Sequence, residues 1–522
     1  MGIRWWSGAL NDQFMQTLAI EYLRATAQRF PDRIALVEGD RRLTFAELWR
    51  RGVGLAVAMI GAGAGENVPV LLEIPKSIEA VVALVAVQLS GNIYVPVDVA
   101  APAARRESLA SVLGEHARLT VVEGKFAWNG SVLSLGEGLA SDEVPEAVGR
   151  RVAARNSTDP LYVIFTSGTT GVPKGVTIAN ASVIDYIDWA VRVYGVTEVD
   201  SIASQAPFFF DNSVLDLYLM MARGATLHLL APTVLMFPAT LVEYLRDQEI
   251  TMLFFVPSLL SNLASLDMLA QYSLPRLNKI LFAGEVMPLP TLKYLRKHFP
   301  DALLSNLYGP TEITVDAIYW VAGDAASLEN LESVPLGLPC ENSAILFLDE
   351  ENRVVTAPDV QAEICVGGVG VGLGYWNNPE KTRDVFIQHP GRMQYRDIVY
   401  KTGDLGYVSS RDGLIYFNGR KDHQIKHLGY RIELGEIETA LLKVPGVHQC
   451  CVLYDSERKE IIALHSPVAG LDARKMQAAL RGALPSYMIP RRFVVVETFP
   501  LTANGKADRA ALWTLYQKTN HG

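Results

Sequence analysis

The 522-residue sequence predicts an α/β protein with a large N-terminal domain of layered αβ subdomains and a β-rich subdomain. A small C-terminal α+β domain is expected to follow. Three observations predict this: strand and helix patterns alternate from Leu43 to His298, short strands with Gly and Asn turns begin at Ala344, and a compact helix–strand pattern follows a charged stretch at 418–424. A chain of this length is also too long for one ordinary core.

Local patterns place the elements of the N-terminal domain. Thr44 and Glu47 have the spacing of a capping box, in which each residue caps the other at the start of a helix. Apolar runs of strand length alternate with apolar runs of helix length, which is typical of α/β layers. We expect strands at 67–74, from Tyr94, at 120–122, at 252–256 and at 279–283, and helices at 77–89, 239–248 and 289–298.

The rest of the chain predicts smaller units. The β-rich subdomain is expected to hold strands at 344–348, 362–366, 406–408 and 414–417. The small domain is expected to hold helices at 433–442 and 473–484, a strand near 450–453 and a final strand at 493–496. We therefore expect a large domain at 1–419, whose β-rich part begins at about 340, and a small domain at 420–522.

Composition narrows the class of protein. The net charge is −9, and charged residues make up 20% of the chain against 49% hydrophobic residues, which fits a soluble globular protein. The longest clear apolar run, 80–87, is far shorter than the ~20 residues of a membrane helix. The N-terminus lacks the pattern of a signal peptide. The four cysteines show no metal-ligand spacing, so a reducing cytoplasm is the expected setting.

Charge is unevenly distributed along the chain. From Arg420 onwards there are 15 Lys and Arg against 10 Asp and Glu, a net charge of +5, whereas the rest of the chain carries −14. So acidic a main body argues against nucleic acid as a partner. A basic small domain suits an acidic protein partner, although ordinary surface variation is an equally good explanation.

The densest motif lies at 162–176, which reads YVIFTSGTTGVPKGV. A β-branched strand leads into a loop of hydroxyls and glycines that contains Lys174. Backbone N–H groups in such a loop form an anion-binding concavity, and the lysine adds a positive charge. The loop therefore predicts polyphosphate binding. It differs from the common nucleotide-binding loop, because Gly175 stands where a Mg²⁺-binding Ser or Thr would follow the lysine.

Three further motifs carry chemical groups. Residues 306–312 read NLYGPTE, in which Tyr308 offers a flat face for a base and Glu312 is a natural Mg²⁺ ligand near a phosphate site. Residues 400–404 place Asp404 after a glycine turn, where a lone aspartate would most simply be a helix cap or part of an Asx turn. Residues 500–506 place Lys506 in a turn-rich tail, where a lone lysine would be a solvated surface charge.

Together and in this order, these motifs resemble the adenylate-forming superfamily, which comprises acyl-CoA synthetases, luciferases and the adenylation domains of nonribosomal peptide synthesis. Segments 89–98 and 419–438 are also similar, and the resemblance runs from about Leu43 to Lys506. It implies that a carboxylate attacks the α-phosphate of ATP, that pyrophosphate leaves, and that the acyl group then passes from the adenylate to a thiol. ATP and Mg²⁺ are the implied cofactors.

The resemblance also implies roles for individual residues. Lys506 would bridge the α-phosphate and the substrate carboxylate, Glu312 would bind Mg²⁺, and Asp422 would be the hinge of the small domain. Thr166, Lys174, Glu312 and Lys506 form the implied catalytic set. The other implied nucleotide contacts are Thr166, Ser167, Gly168, Thr169, Thr170 and Lys174 at the phosphates, Tyr308 on adenine with Gly284, Glu285, Asn306, Gly309 and Thr311 nearby, and Asp404 and Arg420 at the ribose.

The acid to be activated is predicted from residues 207–216. Asp211 stands where amino-acid-activating members pair an aspartate with the substrate ammonium, and a buried carboxylate without a cation would be costly. The ordinary alternative is a helix-capping aspartate. The rest of the implied pocket is mostly aliphatic, which suits a small apolar side chain or ring. The set resembles that of free-standing enzymes that load L-proline onto a carrier protein, so the resemblance implies L-proline or a related small or cyclic amino acid. The pocket residues are Asp211, Asn212, Leu215, Phe255, Leu281, Ala283, Leu307, Val315, Asp316 and Lys506.

Several alternatives stay open. Other motifs are similar to D-alanine–carrier protein ligase, and Asp316 departs from the proline pattern, so D-alanine, a β-amino acid or a basic amino acid is possible. An acyl-CoA ligase is a more distant alternative, against which Asp211 argues. A catalytically dead ATP-binding scaffold is opposed by the joint presence of Lys174, Glu312, Asp404 and Lys506. The chain shows no phosphopantetheine attachment motif, so we expect a separate acyl or peptidyl carrier protein as partner, and neither nucleic acid nor membrane.

Overall fold

Two large sheets, whose central strands are parallel, form most of the N-terminal domain. The computed structural model describes residues 16–134, 144–168, 172–468, 472–500 and 507–520. Within these ranges, none of the helices is both long enough and apolar enough to cross a membrane. The predicted α/β class is confirmed by this arrangement.

The first sheet-forming region runs to residue 179. Its elements are α1 (Ile20–Arg29), β1 (Ile34–Glu38), β2 (Arg41–Thr44), α2 (Phe45–Gly61), β3 (Pro69–Glu73), α3 (Ile78–Leu89), β4 (Ile93–Pro96), α4 (Ala103–Leu113), β5 (Ala117–Val122), β6 (Lys125–Trp128), β7 (Ser131–Val132), α5 (Glu146–Ala153), β8 (Pro160–Thr166) and β9 (Lys174–Ala179).

The second region completes the nine-stranded sheet. Its elements are α6 (Asn180–Tyr194), β10 (Ser201–Ser204), α7 (Asn212–Arg223), β11 (Thr226–Leu229), α8 (Pro232–Met236), α9 (Pro238–Asp247), β12 (Met252–Phe255), α10 (Pro257–Ser265), α11 (Met268–Gln271), β13 (Lys279–Phe282), α12 (Leu289–His298), β14 (Leu303–Tyr308), a 3₁₀ turn (Thr311–Ile313), β15 (Ile318–Val321), α13 (Ala325–Glu329) and β16 (Leu338–Pro339).

The third region holds the β-rich subdomain and the small domain. Its elements are β17 (Ser343–Leu348), β18 (Ala362–Gly368), β19 (Gly374–Tyr375), α14 (Pro379–Val385), β20 (Phe386–Gln388), β21 (Ile398–Val408), β22 (Ile415–Arg420), β23 (Gln424–His427), β24 (Tyr430–Glu433), α15 (Leu434–Leu441), β25 (Cys450–Asp455), β26 (Glu460–His465), α16 (Ala473–Arg481), a 3₁₀ turn (Ser486–Met488), β27 (Arg492–Val495) and α17 (Arg509–Asn520).

The strand orders show how the layers are built. The nine-stranded sheet has the order β16-β15-β14-β13-β12-β10-β11-β1-β2, and the eight-stranded sheet has the order β19-β9-β8-β4-β3-β5-β6-β7. Helices α2, α3, α6 and α7 contribute to one core that reaches both sheets, and α3 is buried along almost its whole length. A second core lies under α9, α10 and α12 on the other face of the nine-stranded sheet.

Most predicted elements appear within two or three residues of their expected bounds. The capping box at Thr44 and Glu47 is confirmed, because the Thr44 hydroxyl accepts from the Glu47 N–H at 3.2 Å and the Glu47 carboxylate accepts from the Thr44 N–H at 2.9 Å. A capping box depends on residues that are close in sequence, so it can be recognised without tertiary information.

Other predictions need correction. Residues 400–404 are not a free glycine turn: they lie inside β21, where the register shifts between Asp404 and Gly406 and Gly403 has a φ of +74°. The final strand predicted at 493–496 is confirmed as β27, and the helix α17, which was not predicted, follows it. The hairpin β23–β24 is a further element, at 424–433, that was not predicted. The domain boundary at 419–420 stays a prediction.

Candidate active site

The predicted nucleotide-binding residues meet where parallel strands end. Strand β8 ends at Thr166, β13 ends just before Gly284, and β14 ends at Tyr308. Strands β13 and β14 are neighbours in the nine-stranded sheet, whereas β8 belongs to the eight-stranded sheet, so strand ends from both sheets build the site. The carboxyl ends of parallel strands are where α/β sheets usually bind ligands. Hairpin β23–β24 of the predicted small domain packs against these strand ends.

The phosphate loop presents groups that suit an anion. Thr166 is paired with Lys174 across the β8–β9 hairpin, and its hydroxyl is buried without a hydrogen-bond partner among the described residues. At Gly168, a Cβ atom would lie 1.9 Å from the carbonyl oxygen of Val172, so the loop is too tight for a side chain there. Thr169 and Thr170, also predicted to bind phosphate, lie outside the described residues.

Two small-domain residues engage this loop. The hydroxyl of Ser167 donates to the carbonyl oxygen of Arg431 at 2.9 Å and accepts from the N–H of Glu433 at 3.2 Å. The ammonium of Lys174 lies 3.9 Å from the Glu433 carboxylate. Burial lowers the pKa of Lys174, and the nearby charge of Arg431 lowers it further. The residues predicted to bind phosphate, Ser167 and Lys174, are therefore in direct contact with hairpin β23–β24.

Glu312 is fully buried in the 3₁₀ turn after β14. Its Oε1 accepts from the hydroxyl of Tyr375 at 2.8 Å, and its Oε2 accepts from the guanidinium of Arg431 at 2.6 Å. Burial alone would raise the pKa of Glu312, but the positive charges of Arg431 and Lys174 outweigh it and lower that pKa to about 2. Glu312 is therefore a carboxylate, the form in which it would hold Mg²⁺.

The predicted nucleoside contacts form a second cluster. The hydroxyl of Tyr308 donates to the Asp404 carboxylate at 2.6 Å, and Arg420 binds the other oxygen of Asp404. Arg420 also holds the carboxylate of Asp422, the predicted hinge residue, at 2.6 and 2.8 Å. The structure therefore brings the predicted adenine, ribose and hinge residues together.

The remaining predicted nucleotide contacts have structural partners. The amide of Asn306 donates to the Pro335 carbonyl at 2.8 Å. The Glu285 carboxylate, which follows Gly284, accepts from the N–H of Ser258 and from that of Gly429 in the small domain, both at 2.8 Å. A Cβ at Gly309 would lie 2.3 Å from the Val315 carbonyl oxygen, so close chain packing requires glycine there.

Asp211 immediately precedes α7 but does not cap it. Its side chain makes no capping hydrogen bond within the described chain, which removes the ordinary alternative. Instead, Asp211 and Asn212 line a cavity of about 130 Å³ together with Thr166 and Thr311. Burial raises the pKa of Asp211, and a hydrogen bond from the Thr311 hydroxyl opposes that rise. An aspartate that lines a cavity and does not cap a helix is suited to a cationic ligand.

Residues of the predicted large and small domains both line this cavity. Residues 205–207 and 209–212 belong to the predicted large domain, and Leu428, Gly429, Tyr430 and Arg431 belong to the predicted small domain. The ring of Phe210 contacts that of Tyr430, with centroids 4.8 Å apart. The cavity therefore depends on the position of hairpin β23–β24.

The predicted wall of the pocket is mostly assembled as expected, with one exception. Leu215, Leu281, Ala283, Leu307 and Val315 are buried in the central core, together with Phe254. The prediction that Phe255 lines the pocket is wrong, because its side chain packs in the second core on the opposite face of the sheet. Successive residues of a strand point to opposite faces, so a shift of one position exchanges the two cores. Phe254 is on the correct face.

Asp316 is buried beside this wall, and its carboxylate accepts from the hydroxyl of Tyr186 at 2.7 Å. Burial raises the pKa of Asp316 to about 7, and the negative charge of Asp211 contributes to the rise. Lys506, predicted to close the pocket, lies outside the described residues.

Three further charged or polar residues reach the site, and the sequence did not single them out. Arg431 and Tyr375 hold Glu312, as described above. Lys426 is the third: burial lowers its pKa, and the negative charges of Asp404 and Asp211 oppose the change. In β23–β24, Lys426 and Arg431 stand next to the apolar residues Ile425 and Ile432, a hairpin pattern that could have marked both cations.

Comparisons with known proteins agree with this geometry. A family model described as AMP-binding enzyme matches residues 23–376, and one described as AMP-binding enzyme C-terminal domain matches residues 436–506. Zwittermicin A synthase ZmaJ of Bacillus cereus is 33% identical over 509 residues, which cover 95% of each chain. D-alanine–D-alanyl carrier protein ligase of Listeria monocytogenes is 33% identical over 516 residues, covering 95% of this chain and 99% of that one.

A solved structure shows the same architecture. Holo-PA1221, an NRPS protein that contains adenylation and PCP domains and is bound to a vinylsulfonamide inhibitor, superposes with a TM-score of 0.80 at 25% identity. The match covers 95% of this chain and 84% of that one. The resemblance seen in the motifs is thus confirmed over nearly the whole chain, and the protein belongs to the AMP-binding enzymes, ligases of the adenylate-forming superfamily.

Proposed function

We propose that the enzyme uses ATP to activate a free amino acid as its adenylate and then transfers the aminoacyl group to the phosphopantetheine thiol of a separate carrier protein. The observation that carries this proposal is the Asp211 carboxylate. It makes no capping hydrogen bond to α7 among the described residues, and it lines the same cavity as the phosphate-loop residue Thr166. The wall of that cavity therefore offers a carboxylate that suits an ammonium and a hydroxyl that suits a phosphate. We further propose L-proline or a related small or cyclic amino acid as substrate, with D-alanine, a β-amino acid or a basic amino acid as alternatives.

In the first step, an oxygen of the substrate carboxylate attacks the α-phosphorus of ATP, and the bond to pyrophosphate breaks. Asp211 would hold the ammonium and Lys174 and Thr166 would hold the departing pyrophosphate, so binding orients the two reactants. Tyr308, Asp404 and Arg420 would position the nucleoside. Lys506 would neutralise charge at the α-phosphate.

The donor set also fits Mg²⁺. Glu312 is a buried carboxylate with a pKa of about 2, and the Thr166 hydroxyl, which has no hydrogen-bond partner among the described residues, would be able to bind a phosphate oxygen. A carboxylate with substrate phosphates is the usual setting for this ion, which neutralises phosphate charge when bound. Arg431 donates to one oxygen of Glu312, so it would compete with Mg²⁺ for that oxygen.

In the second step, the thiol attacks the acyl carbon and AMP leaves. The contacts of Arg431 with Glu312 and of Ser167 with hairpin β23–β24 fill the region assigned to pyrophosphate. This supports a domain arrangement that follows pyrophosphate release, with rotation near Asp422. A hinge agrees with the chemistry, since Lys506 and a thiol cannot enter the same space together.

Amino-acid-dependent exchange of pyrophosphate into ATP tests the proposed function. The panel contains L-proline, D-alanine, a β-amino acid and basic amino acids, with fatty and aryl acids as the comparison class. Exchange with one or more amino acids is expected. No exchange with any amino acid would refute the proposal, and strong exchange only with fatty or aryl acids would favour the acyl-CoA ligase alternative.

Replacing Arg431 by methionine should separate the two steps. We expect exchange to stay within about threefold and thioester formation from supplied adenylate to fall about 10- to 100-fold, because a hydrogen bond between charged groups contributes ~1.5–3 kcal/mol. Pantetheine serves as the acceptor thiol. Arg458→Met is the matched control, because Arg458 is exposed and lies 3.9 Å from Asp455 on the small domain. Equal losses in both steps would contradict this role.

A further inference from the structure

A partly buried lysine and a buried aspartate flank the segment that carries Asp211. Lys76 lies between β3 and α3, and its ammonium donates to the Ser204 carbonyl at 2.6 Å. Asp216 lies in α7 and is 1% exposed, and neither of its carboxylate oxygens has a hydrogen-bond partner of good geometry among the described residues, although the Ser204 hydroxyl is close enough to lower its pKa. A buried carboxylate without such partners is rare, because its desolvation is not compensated by hydrogen bonds.

The pair is electrostatically linked. Burial lowers the pKa of Lys76 to about 7, and the negative charge of Asp216 opposes the change. Burial raises the pKa of Asp216 to about 7, and the positive charge of Lys76 opposes that change. Each group therefore favours the charged form of the other, and loss of either removes the opposite charge that stabilises its partner.

The position of Lys76 connects it to one particular segment. Residues 205–211 join β10 to α7, line the cavity and end at Asp211. Lys76 binds Ser204 just before this segment, lies 5.9 Å from the ring centroid of Phe208 within it, and interacts with Asp216 just after it. The ammonium of Lys76 therefore donates a hydrogen bond just before the segment, lies over a ring in its middle, and attracts a carboxylate that follows its end.

We propose that Lys76 and Asp216 are positioning residues that fix the 205–211 segment and thereby hold Asp211 at the substrate ammonium. They act through Asp211 and the backbone, without contacting substrate. This inference rests on the proposed function, because it assumes that Asp211 binds an amino acid. A merely structural pair would affect folding stability but would not act selectively on one substrate.

The test compares Michaelis constants for the two substrates in the exchange reaction. The variants are Lys76→Gln and Asp216→Asn, which are nearly isosteric and neutral, and the double variant. The probe is whichever amino acid of the panel above gives the strongest exchange with the unaltered enzyme. We expect each single variant to raise the KM for the amino acid about 10-fold or more and to change the KM for ATP less than about twofold. The double variant should be no worse than the poorer single variant, because interacting residues are not additive.

Lys279 and Asp200 provide a matched control. They form a partly buried ion pair at 2.8 Å, but they lie at the amino ends of β13 and β10, at the opposite end of the strands from the site. Lys279→Gln should lower the melting temperature and leave the amino acid KM unchanged. Lys76→Arg, which keeps the charge, should keep the amino acid KM within about threefold of the unaltered enzyme.

The outcomes separate the two proposals. If the unaltered enzyme exchanges with no amino acid, the proposed function fails and the inference fails with it. If exchange occurs but Lys76→Gln and Asp216→Asn leave the amino acid KM unchanged, only the positioning role is overturned. An equal rise in both Michaelis constants, or a similar rise in Lys279→Gln, would also overturn it.

Discussion

Replacing Lys506 by alanine is expected to lower the rate of pyrophosphate exchange about 100- to 1,000-fold, since removal of one group that stabilises developing charge typically has this effect. Thioester formation from supplied adenylate should persist, because in that step Lys506 is expected to have left the site. Exchange and pantetheine thioester formation, measured on the same preparation, check both statements.

The control for this variant is Lys518→Ala, which removes an exposed lysine from α17, close to Lys506 in sequence. It should leave both steps unchanged. Equal loss of both steps in Lys506→Ala, with the melting temperature preserved, would contradict rotation of the small domain.

Replacing Asp211 by asparagine is expected to lower kcat/KM for the amino acid about 100-fold, or ~3 kcal/mol, because the ammonium would lose its buried counter-charge. The KM for ATP should change little, since the phosphate loop and the Tyr308–Asp404 cluster are untouched. Asp247→Asn is the control, because Asp247 is an exposed partner of Arg246. An unchanged amino acid KM would show that Asp211 does not bind the ammonium.

The same residue gives a pH dependence. Burial holds the pKa of Asp211 above its ordinary value of 3.8. Protonation removes the charge that binds the ammonium, so amino acid affinity should be lost as the pH falls through this raised pKa. The rise in KM on acidification should therefore begin at a higher pH than an exposed aspartate would give, and it should disappear in Asp211→Asn. A rise that persists in the variant would assign the titration to another group.

The motifs made the reaction class predictable. Thr166, Gly168 and Lys174 lie within nine residues of one another, so a phosphate loop can be recognised from local order. The capping box at Thr44 is predictable for the same reason. Asp211 was also found in the sequence, but its main alternative, a helix cap, was excluded only by the geometry at the start of α7.

The sequence by itself determined the family, the phosphate loop and the carboxylates of the site, because each depends on residue types at short, fixed spacings. Tertiary structure decided which face of β12 meets the pocket. Phe254, and not the predicted Phe255, lies on that face, since a one-residue shift exchanges the two faces of a strand. It also decided that Arg431 binds Glu312 and that Lys76 acts on Asp216. Those partners are more than a hundred residues apart, and only packing of separate sheets and domains brings such charges together.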